Sequence, residues 1–221
     1  MISIAVLTYN RDVMPCLKSI KQNTVNKHEL ILVDNSNCYS SMYDGYVDKY
    51  IGLKDNEGVL SRNYGRLIAK GKYILNVDDD VIVLPDWDQV LIDFIESDDQ
   101  IVASGQMGFN AYPDLSNFNR KPCIVGERCD FITGFCWAYK NLGSDQLPWD
   151  WFSPNKNKPS ALHDETYIQA QMREKGGKFI VSPVVCHHNS QRSSVDFDDD
   201  ADKINRIQKR FKIKDLNLEK S

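Results

Sequence analysis

Short apolar runs alternate with segments of helical periodicity along the first half of the chain. Continuous apolar runs are typical of parallel strands covered on both faces, and they predict strands at residues 2–8, 29–33, 47–53 and 73–77, the last of which ends in three aspartates within the stretch 72–85. Apolar residues that recur every three or four positions predict helices at 13–20 and 59–69. This alternation predicts an α/β fold with a mostly parallel central sheet flanked by helices.

The second half of the chain has a less regular pattern. It predicts helices at 87–95 and 164–175, and strands at 101–104, 130–139 and 179–186. Pro183 in the last strand favours an edge position, because proline cannot donate a hydrogen bond to a neighbouring strand. Residues 105–126 and 141–159 are expected to be irregular, and 204–213 to form an amphipathic C-terminal helix. No segment has the composition of a linker, so we expect a single domain over residues 1–221.

Polar residues follow the ends of three strands predicted in the first half. These polar sets are residues 8–12, 34–37 and 78–80. In a mostly parallel sheet, ligands bind in the crevice beyond the carboxyl ends of the strands. The sequence therefore predicts a binding site at this edge of the sheet.

The third polar set is Asp78-Asp79-Asp80, which interrupts an otherwise apolar segment. Three neighbouring carboxylates repel one another, and partial burial increases the cost unless a cation or hydrogen bonds compensate. Mg²⁺ and Mn²⁺ take oxygen ligands and keep coordination sites for substrate phosphates. The pattern predicts a divalent metal site, and the alternative is an acidic turn that caps a helix or faces water.

Charge and composition narrow the class of protein. The net charge of −4 argues against a general nucleic-acid binder, which would carry a basic face. No apolar run is long enough to span a bilayer, and residues 1–10 have the pattern of a first strand rather than of a signal peptide. The 6 cysteines form no CxxC pair and are expected to be reduced thiols. We therefore expect a cytoplasmic protein without a membrane anchor.

Several motifs, in order along the chain, resemble those of the family 2 glycosyltransferases of the GT-A fold. The matching segments are 4–11 (first strand and TYNR turn), 30–36 (second strand and VDDxS turn), 56–65 (NxG…ARNxG), 78–80 (DXD), 84–86 (the Leu-Pro-Asp after it), 164–166 (ED motif) and His187 or His188 (C-terminal histidine). Each motif alone is a weak signal, and their correct order makes the resemblance specific.

The resemblance implies an activity, a cofactor and a division of the chain. It implies a hexosyltransferase that moves a sugar from a nucleotide-diphosphate sugar, with UDP-sugar favoured, to a saccharide or other hydroxyl acceptor with inversion. The cofactor would be Mn²⁺ or Mg²⁺. Residues 1–104 would form the nucleotide-binding half, and 105–221 the acceptor-binding half with the C-terminal helix.

The resemblance also assigns roles to individual residues. Nucleotide and donor contacts fall to Thr8, Tyr9, Asn10, Arg11, Asp34, Asn35, Asn56, Arg62, Asp78 and Asp79. Metal ligation falls to Asp80, Asp78 and one of His187 and His188. Acceptor contacts are predicted from residue chemistry instead: Gly134 allows close approach of the backbone to a ligand, and Trp149 and Trp151 could stack on a sugar or could equally be buried indoles that pin a loop.

The acceptor hydroxyl needs a general base, and the candidates are Asp164 and Glu165 at the start of a predicted helix. Alignment of Glu165-Thr166 with the family's Asp-Thr puts Glu165 in the position of the base. The order Asp-Glu is inverted relative to the family's Glu-Asp, so Asp164 stays a candidate. The alternative function is helix capping, which both residue types perform well.

One position departs from the family pattern and two other functions compete. Asn35 stands where the family has an aspartate, which leaves recognition of a uracil N–H to its amide oxygen or to Asp34. A nucleotidyltransferase would also use aspartates and a metal, but the first strand is followed by no glycine-rich loop with a lysine. The other alternative is an inactive relative that binds nucleotide or glycan without turnover.

Overall fold

The computed structural model of the protein describes residues 1–39, 41–110, 121–143 and 164–189, with the backbone alone at 121, 164–167 and 170. The loop predicted at 141–159 beyond residue 143, the helix predicted at 204–213, and Trp149 and Trp151 lie outside the described residues.

Helices and strands alternate through the first half as the apolar pattern predicts. In chain order they are β1 (Ile2–Thr8), α1 (Met14–Asn23), β2 (His28–Asp34), β3 (Lys49–Gly52), α2 (Arg62–Ile68), β4 (Tyr73–Asp78), β5 (Val81–Val83) and α3 (Trp87–Glu96). The second half contains β6 (Ile101–Gly105), β7 (Gly108–Asn110), β8 (Lys121–Pro122), β9 (Arg128–Cys129), β10 (Phe131–Ile132), β11 (Cys136–Lys140), α4 (Asp164–Glu174), β12 (Lys178–Val181) and β13 (Cys186–His188). Short 3₁₀ turns lie at Ser41–Tyr43 and Gly58–Ser61.

The central sheet has eight strands in the order β3-β2-β1-β4-β11-β6-β12-β9. The first four strands run parallel, β11 runs antiparallel to both β4 and β6, and β12 is parallel to β6. The prediction of an α/β fold with a mostly parallel central sheet is therefore confirmed. Two strands that the sequence separates widely, β4 and β11, become neighbours at the middle of the sheet.

Helices cover both faces of the parallel half of the sheet. Along β2, Leu30 and Leu32 belong to the cluster that includes the buried residues of α1 and α3, whereas Ile31 and Val33 pack in a second cluster with Ile68 of α2. Successive side chains of a strand point to opposite faces, so burial on both sides produces the continuous apolar run.

Residues 105–126, expected to be irregular, contain strands in their described parts, so that prediction was wrong. Strands β10, β7 and β8 form a separate three-stranded antiparallel sheet. Each is only two or three residues long, which is too short for a periodic pattern to appear in the sequence. Close packing also requires a glycine here, since a Cβ at Gly108 would lie 2.5 Å from Sγ of Cys129.

The edge position expected from Pro183 was also wrong. Strand β12 lies between β6 and β9, and pairing ends at Val181 and Ser182, whose N–H groups donate to Glu127 and Gly105 carbonyls. Pro183 follows in the connection to β13, where no strand partner needs its missing N–H.

No helix in the described ranges is long and apolar enough to cross a membrane. The six cysteines, all of which the structure describes, are free thiols.

Candidate active site

The three polar sets meet at one edge of the sheet, as predicted. In the paired register of the parallel strands, Thr8 lies opposite Asp34, and Leu7 lies opposite Asp78. The ends of β2, β1 and β4 are therefore level with each other. The segments that follow these strands line a common crevice beyond the carboxyl edge.

Two arginines hold the outer members of the aspartate cluster. A guanidinium nitrogen of Arg62 donates to Oδ1 of Asp78, and Nη1 of Arg11 donates to Oδ2 of Asp80 at 2.5 Å. The Arg62 side chain is buried at the start of α2, whereas that of Arg11 is 48% exposed in the turn after β1. Both cations reduce the repulsion within the cluster.

Asp79 has a different environment from its neighbours. Its Oδ2 accepts a hydrogen bond from the Thr8 hydroxyl at 2.8 Å and a longer one from the Tyr9 N–H at 3.4 Å. Burial raises the pKa of the Asp79 carboxyl above its ordinary value, opposed by the Thr8 hydrogen bond and the Arg11 charge. Asp79 therefore ties the turn after β1 to the aspartate cluster.

Asp78, Asp80 and His188 form a group that could hold a cation. One ligand atom from each lies within 4.8 Å of the others, and His188 Nε2 is 3.2 Å from Oδ1 of Asp80. The two carboxylates suit Mn²⁺ or Mg²⁺, and the imidazole favours the transition metal Mn²⁺ over the harder Mg²⁺, so these side chains fit the cofactor that the sequence predicts. Among the described residues, this is the only group of three or more such ligands.

His188 and Asp80 influence each other's protonation. Their hydrogen bond is the main reason why the pKa of Asp80 lies below its ordinary value; burial opposes it and Arg11 supports it. The same bond raises the pKa of His188, against the effect of burial.

The pairing of β13 with β5 places His188 at the cluster. The strands are antiparallel, with His188 opposite Val81, and the Asn189 N–H donates to the Asp80 carbonyl at 3.0 Å. Side chains alternate along a strand, so His187 faces away from His188 and is exposed. Of the two candidate histidines, the structure brings His188 to the carboxylates.

Asp34 closes its own turn. Its Oδ1 accepts hydrogen bonds from the N–H and the hydroxyl of Ser36, and its Oδ2 accepts from the Cys38 N–H and the Tyr50 hydroxyl. Burial alone would raise the pKa of Asp34, but these bonds outweigh it and hold the pKa below its ordinary value. A carboxylate has about four acceptor sites, and these four bonds occupy them. Asp34 would therefore have to lose one of these bonds before it could accept a hydrogen bond from a nucleobase.

Asn35 joins the end of β2 to the segment before α2. Its amide nitrogen donates to the Gly58 carbonyl at 2.9 Å and approaches the Ser61 hydroxyl oxygen at 3.0 Å, while its amide oxygen accepts the Glu57 N–H at 3.2 Å. Asn35 is only 4% exposed. The segment it holds leads directly into Arg62, so Asn35 helps to place that guanidinium.

Replacement of Asn35 by aspartate, the residue typical of the family, is expected to destabilise this protein. A carboxylate cannot donate to the Gly58 carbonyl, which keeps its hydrogen bond from the Ser61 hydroxyl. Loss of one hydrogen bond costs about 0.5–1.5 kcal/mol, and the facing carboxylate and carbonyl oxygens also repel each other. The measurement is the free energy of unfolding in urea. Asn56→Asp is the matched control, because Asn56 uses only its oxygen, which accepts the Gly58 N–H at 2.8 Å. If Asn35→Asp were as stable as the wild type, the amide donor would not be required.

The residues Tyr9, Asn10 and Arg11 form an exposed rim beside the cluster. Tyr9 is 47% exposed, and the backbone of Asn10 has a left-handed φ of 52°. The Asn10 N–H lies 3.5 Å from the Ser36 hydroxyl oxygen, which links the turns after β1 and β2. These side chains are available to a ligand in the crevice.

Helix α4 begins at Asp164, as the sequence predicts, and ends at Glu174, before Gly176 with its positive φ of 85°. Its buried residue Gln169 accepts the Ile132 N–H at 2.7 Å and donates to the Ile132 carbonyl at 2.8 Å. One turn later, Arg173 pairs with Asp130 at 2.8 Å. These contacts attach the helix to β10.

Gly134 lies in the turn between β10 and β11, directly before Phe135. The Phe135 carbonyl accepts the Asp78 N–H at 2.8 Å, so the turn adjoins the aspartate cluster. Sequence reasoning missed Phe135, because it forms part of no recognisable motif. Only the non-local pairing of β11 with β4 brings it to the aspartate cluster.

Comparisons with known proteins agree with this geometry. The model of the family described as "Glycosyl transferase family 2" matches residues 3–146, more than half of the chain. The chain therefore belongs to glycosyltransferase family 2. A relative from Haemophilus influenzae (strain ATCC 51907 / DSM 11121 / KW20 / Rd), described as an uncharacterized glycosyltransferase, is 31% identical over 107 residues, which are 46% of this chain and 36% of that protein.

Solved structures with the same fold include two of S. aureus TarS. One superimposes with a TM-score of 0.60 at 14% identity and covers 99% of this chain and 40% of that one. The other, of TarS 1–349, has a TM-score of 0.61 at 15% identity and covers 99% and 66%. At these identities the likeness concerns the fold. The chain spans about a third of the length of the Haemophilus relative.

Proposed function

We propose that this glycosyltransferase moves a sugar from a nucleotide-diphosphate sugar, with a UDP-sugar favoured, to a hydroxyl acceptor, with inversion and with a divalent metal. The observation that carries the proposal is the meeting of Asp78, Asp80 and His188 at the carboxyl edge of the sheet. An open-sheet fold binds its ligands at this edge.

Asp78, Asp80 and His188 are the residues that would hold Mn²⁺ or Mg²⁺. A divalent cation there supplies Lewis-acid stabilisation of the negative charge on the leaving diphosphate. We propose Arg11 as a second cationic group that stabilises the charge of the diphosphate, since its side chain is half exposed and lies against Asp80 and Asp79. Its guanidinium can donate charge-assisted hydrogen bonds to phosphate oxygens.

The acceptor half of the site is assigned to residues 105–221, with the nucleotide half at 1–104. In the proposed reaction, Glu165 or Asp164 takes the proton of the acceptor hydroxyl, and the acceptor oxygen attacks the anomeric carbon. The bond from that carbon to the diphosphate oxygen breaks, and the diphosphate leaves with the electron pair. Attack from the face opposite the leaving group inverts the anomeric configuration. Gly134, Trp149 and Trp151 remain the proposed acceptor contacts.

One observation favours a second function, nucleotide binding without a metal or turnover. Asp78 and Asp80 each have an arginine partner within the protein, so the cluster has countercharges of its own. A protein that binds a nucleotide through Arg11 and the rim would have the same contacts. The two functions differ in whether nucleotide binding depends on a divalent cation.

Thermal unfolding of the full chain with nucleotide diphosphates, with and without Mn²⁺, separates these functions. We expect UDP with Mn²⁺ to raise Tm by several degrees, because a ligand at about 100 times its Kd stabilises a protein by about 2.7 kcal/mol. EDTA is expected to remove the shift. GDP and CDP serve as nucleobase comparisons under the same conditions. A shift with UDP that EDTA leaves unchanged would support the metal-independent function.

A further inference from the structure

We propose that Phe135 is a positioning residue for the candidate metal site, acting on two of its ligands at once. The inference rests on the proposed metal-dependent function and goes beyond it. Phe135 has no ligand atom of its own in its side chain, so its role would be exerted through Asp78 and His188.

Phe135 contacts both of these ligands with different parts of the residue. Its carbonyl oxygen accepts the Asp78 N–H at 2.8 Å. Its ring is stacked on the His188 imidazole, with ring centroids 4.6 Å apart and an interplanar angle of 7°. Phe135 is half buried and packs against the main core cluster, so its ring has a supported position.

The two ligands come from parts of the fold that share no strand pairing. Asp78 ends β4 in the eight-stranded sheet, whereas His188 ends β13 in the two-stranded sheet with β5. Phe135 directly precedes β11, whose pairing with β4 begins at Cys136 opposite Val77. The residue is therefore fixed to the Asp78 strand by its backbone and bridges to His188 by its ring.

Stacking constrains the rotation of the imidazole ring, which sets the direction in which a histidine ligand points its nitrogen. The terminal side-chain torsion of histidine has broad preferences, so packing has to select the direction of Nε2. A near-parallel aromatic neighbour restricts rotation of the imidazole plane. In the observed orientation Nε2 lies 3.2 Å from Oδ1 of Asp80, where both can contact one cation. Loss of the ring would release this orientation and leave the ligands themselves intact.

The alternative is that Phe135 only fills space in the core. The chain offers a matched control, because Phe94 on α3 is also a partly buried phenylalanine that packs against the same core cluster. A core-filling role predicts that Phe135→Leu and Phe94→Leu have similar effects, both on stability alone. A positioning role predicts that only Phe135→Leu changes the affinity for a metal.

The experiment is a Mn²⁺ titration of the full chain, followed by the electron paramagnetic resonance signal of free Mn²⁺, alone and with UDP. We expect Phe135→Leu to weaken Mn²⁺ binding by about 3- to 10-fold, within the range of aromatic pair energies. Phe135→Tyr, which retains a stacking ring, and Phe94→Leu are expected to bind as the wild type does. Phe135→Met is the second non-aromatic variant if leucine lowers Tm too far.

A double-mutant cycle with His188→Ala tests whether the effect passes through the imidazole. Once His188 is removed, Phe135→Leu is expected to weaken Mn²⁺ binding no further. Equal effects of Phe135→Leu with and without His188 would overturn the inference, as would unchanged Mn²⁺ affinity in Phe135→Leu. If the wild type bound no Mn²⁺ under either condition, the proposed metal dependence would fail and this inference with it.

Discussion

Asp80→Asn is expected to lower the affinity for Mn²⁺ by roughly 100-fold or more, because even residues that only support metal ligands contribute about 10- to 100-fold. Asp80 contributes a charged oxygen facing His188 and lies next to the ligand atom of Asp78. Its amide replacement keeps the shape of the side chain and removes the charge. Isothermal titration with Mn²⁺, in the presence and absence of UDP, measures the change.

Asp98→Asn is the matched control for the loss of one negative charge. The Asp98 side chain is 40% exposed and forms a surface ion pair with Arg128 at 2.6 Å. Exposed ion pairs contribute about 0–1 kcal/mol, so this variant is expected to fold and to bind Mn²⁺ as the wild type does. Unchanged Mn²⁺ affinity in Asp80→Asn would remove Asp80 from the metal site, and the search for the anionic ligands would move to Asp79.

Glu165→Gln is expected to slow sugar transfer by about 10²- to 10⁴-fold while leaving donor affinity close to that of the wild type. A general base acts only on the proton of the acceptor, so its loss affects the chemical step. Asp164→Asn tests the other candidate in the same way. Slow hydrolysis of the donor, in which water replaces the acceptor, gives an assay that needs no knowledge of the acceptor.

Helix capping predicts a different pair of results. Under that alternative, Asp164→Ala would lower stability by about 1 kcal/mol, and neither substitution would change turnover. The anchoring of α4 by Gln169 and Arg173 makes this distinction measurable, because the helix has tertiary contacts that do not depend on its first turn. Variants that lose stability and retain full hydrolysis would assign the pair to the cap, and Asp130 or Asp150 would become the next candidates for the base.

The local pattern of residues was sufficient to predict the parallel half of the fold. Strand β2 has a continuous apolar run because its two faces pack in two different clusters of buried residues. The same holds for β1, and for β4, whose Ile74 packs in a third cluster. The prediction that their polar ends share an edge follows from the geometry of parallel strands alone. Strands of two or three residues are too short to show such a pattern. Strand β7 was therefore missed, and β10 was predicted as part of one strand with β11.

The sequence by itself determined the class of fold, the edge of the sheet where the candidate site lies and most of the residues proposed for it. Burial produces apolar patterns along the chain, and parallel strands bring their polar ends to one edge. Tertiary structure decided which histidine joins the carboxylates, through the antiparallel register of β13 on β5. It also decided that the side chains of Asp34 and Asn35 form hydrogen bonds with neighbouring parts of the protein itself. The same is true of Phe135, which contacts both Asp78 and His188. These outcomes depend on contacts between residues far apart in the chain, and local spacing contains no information about such contacts.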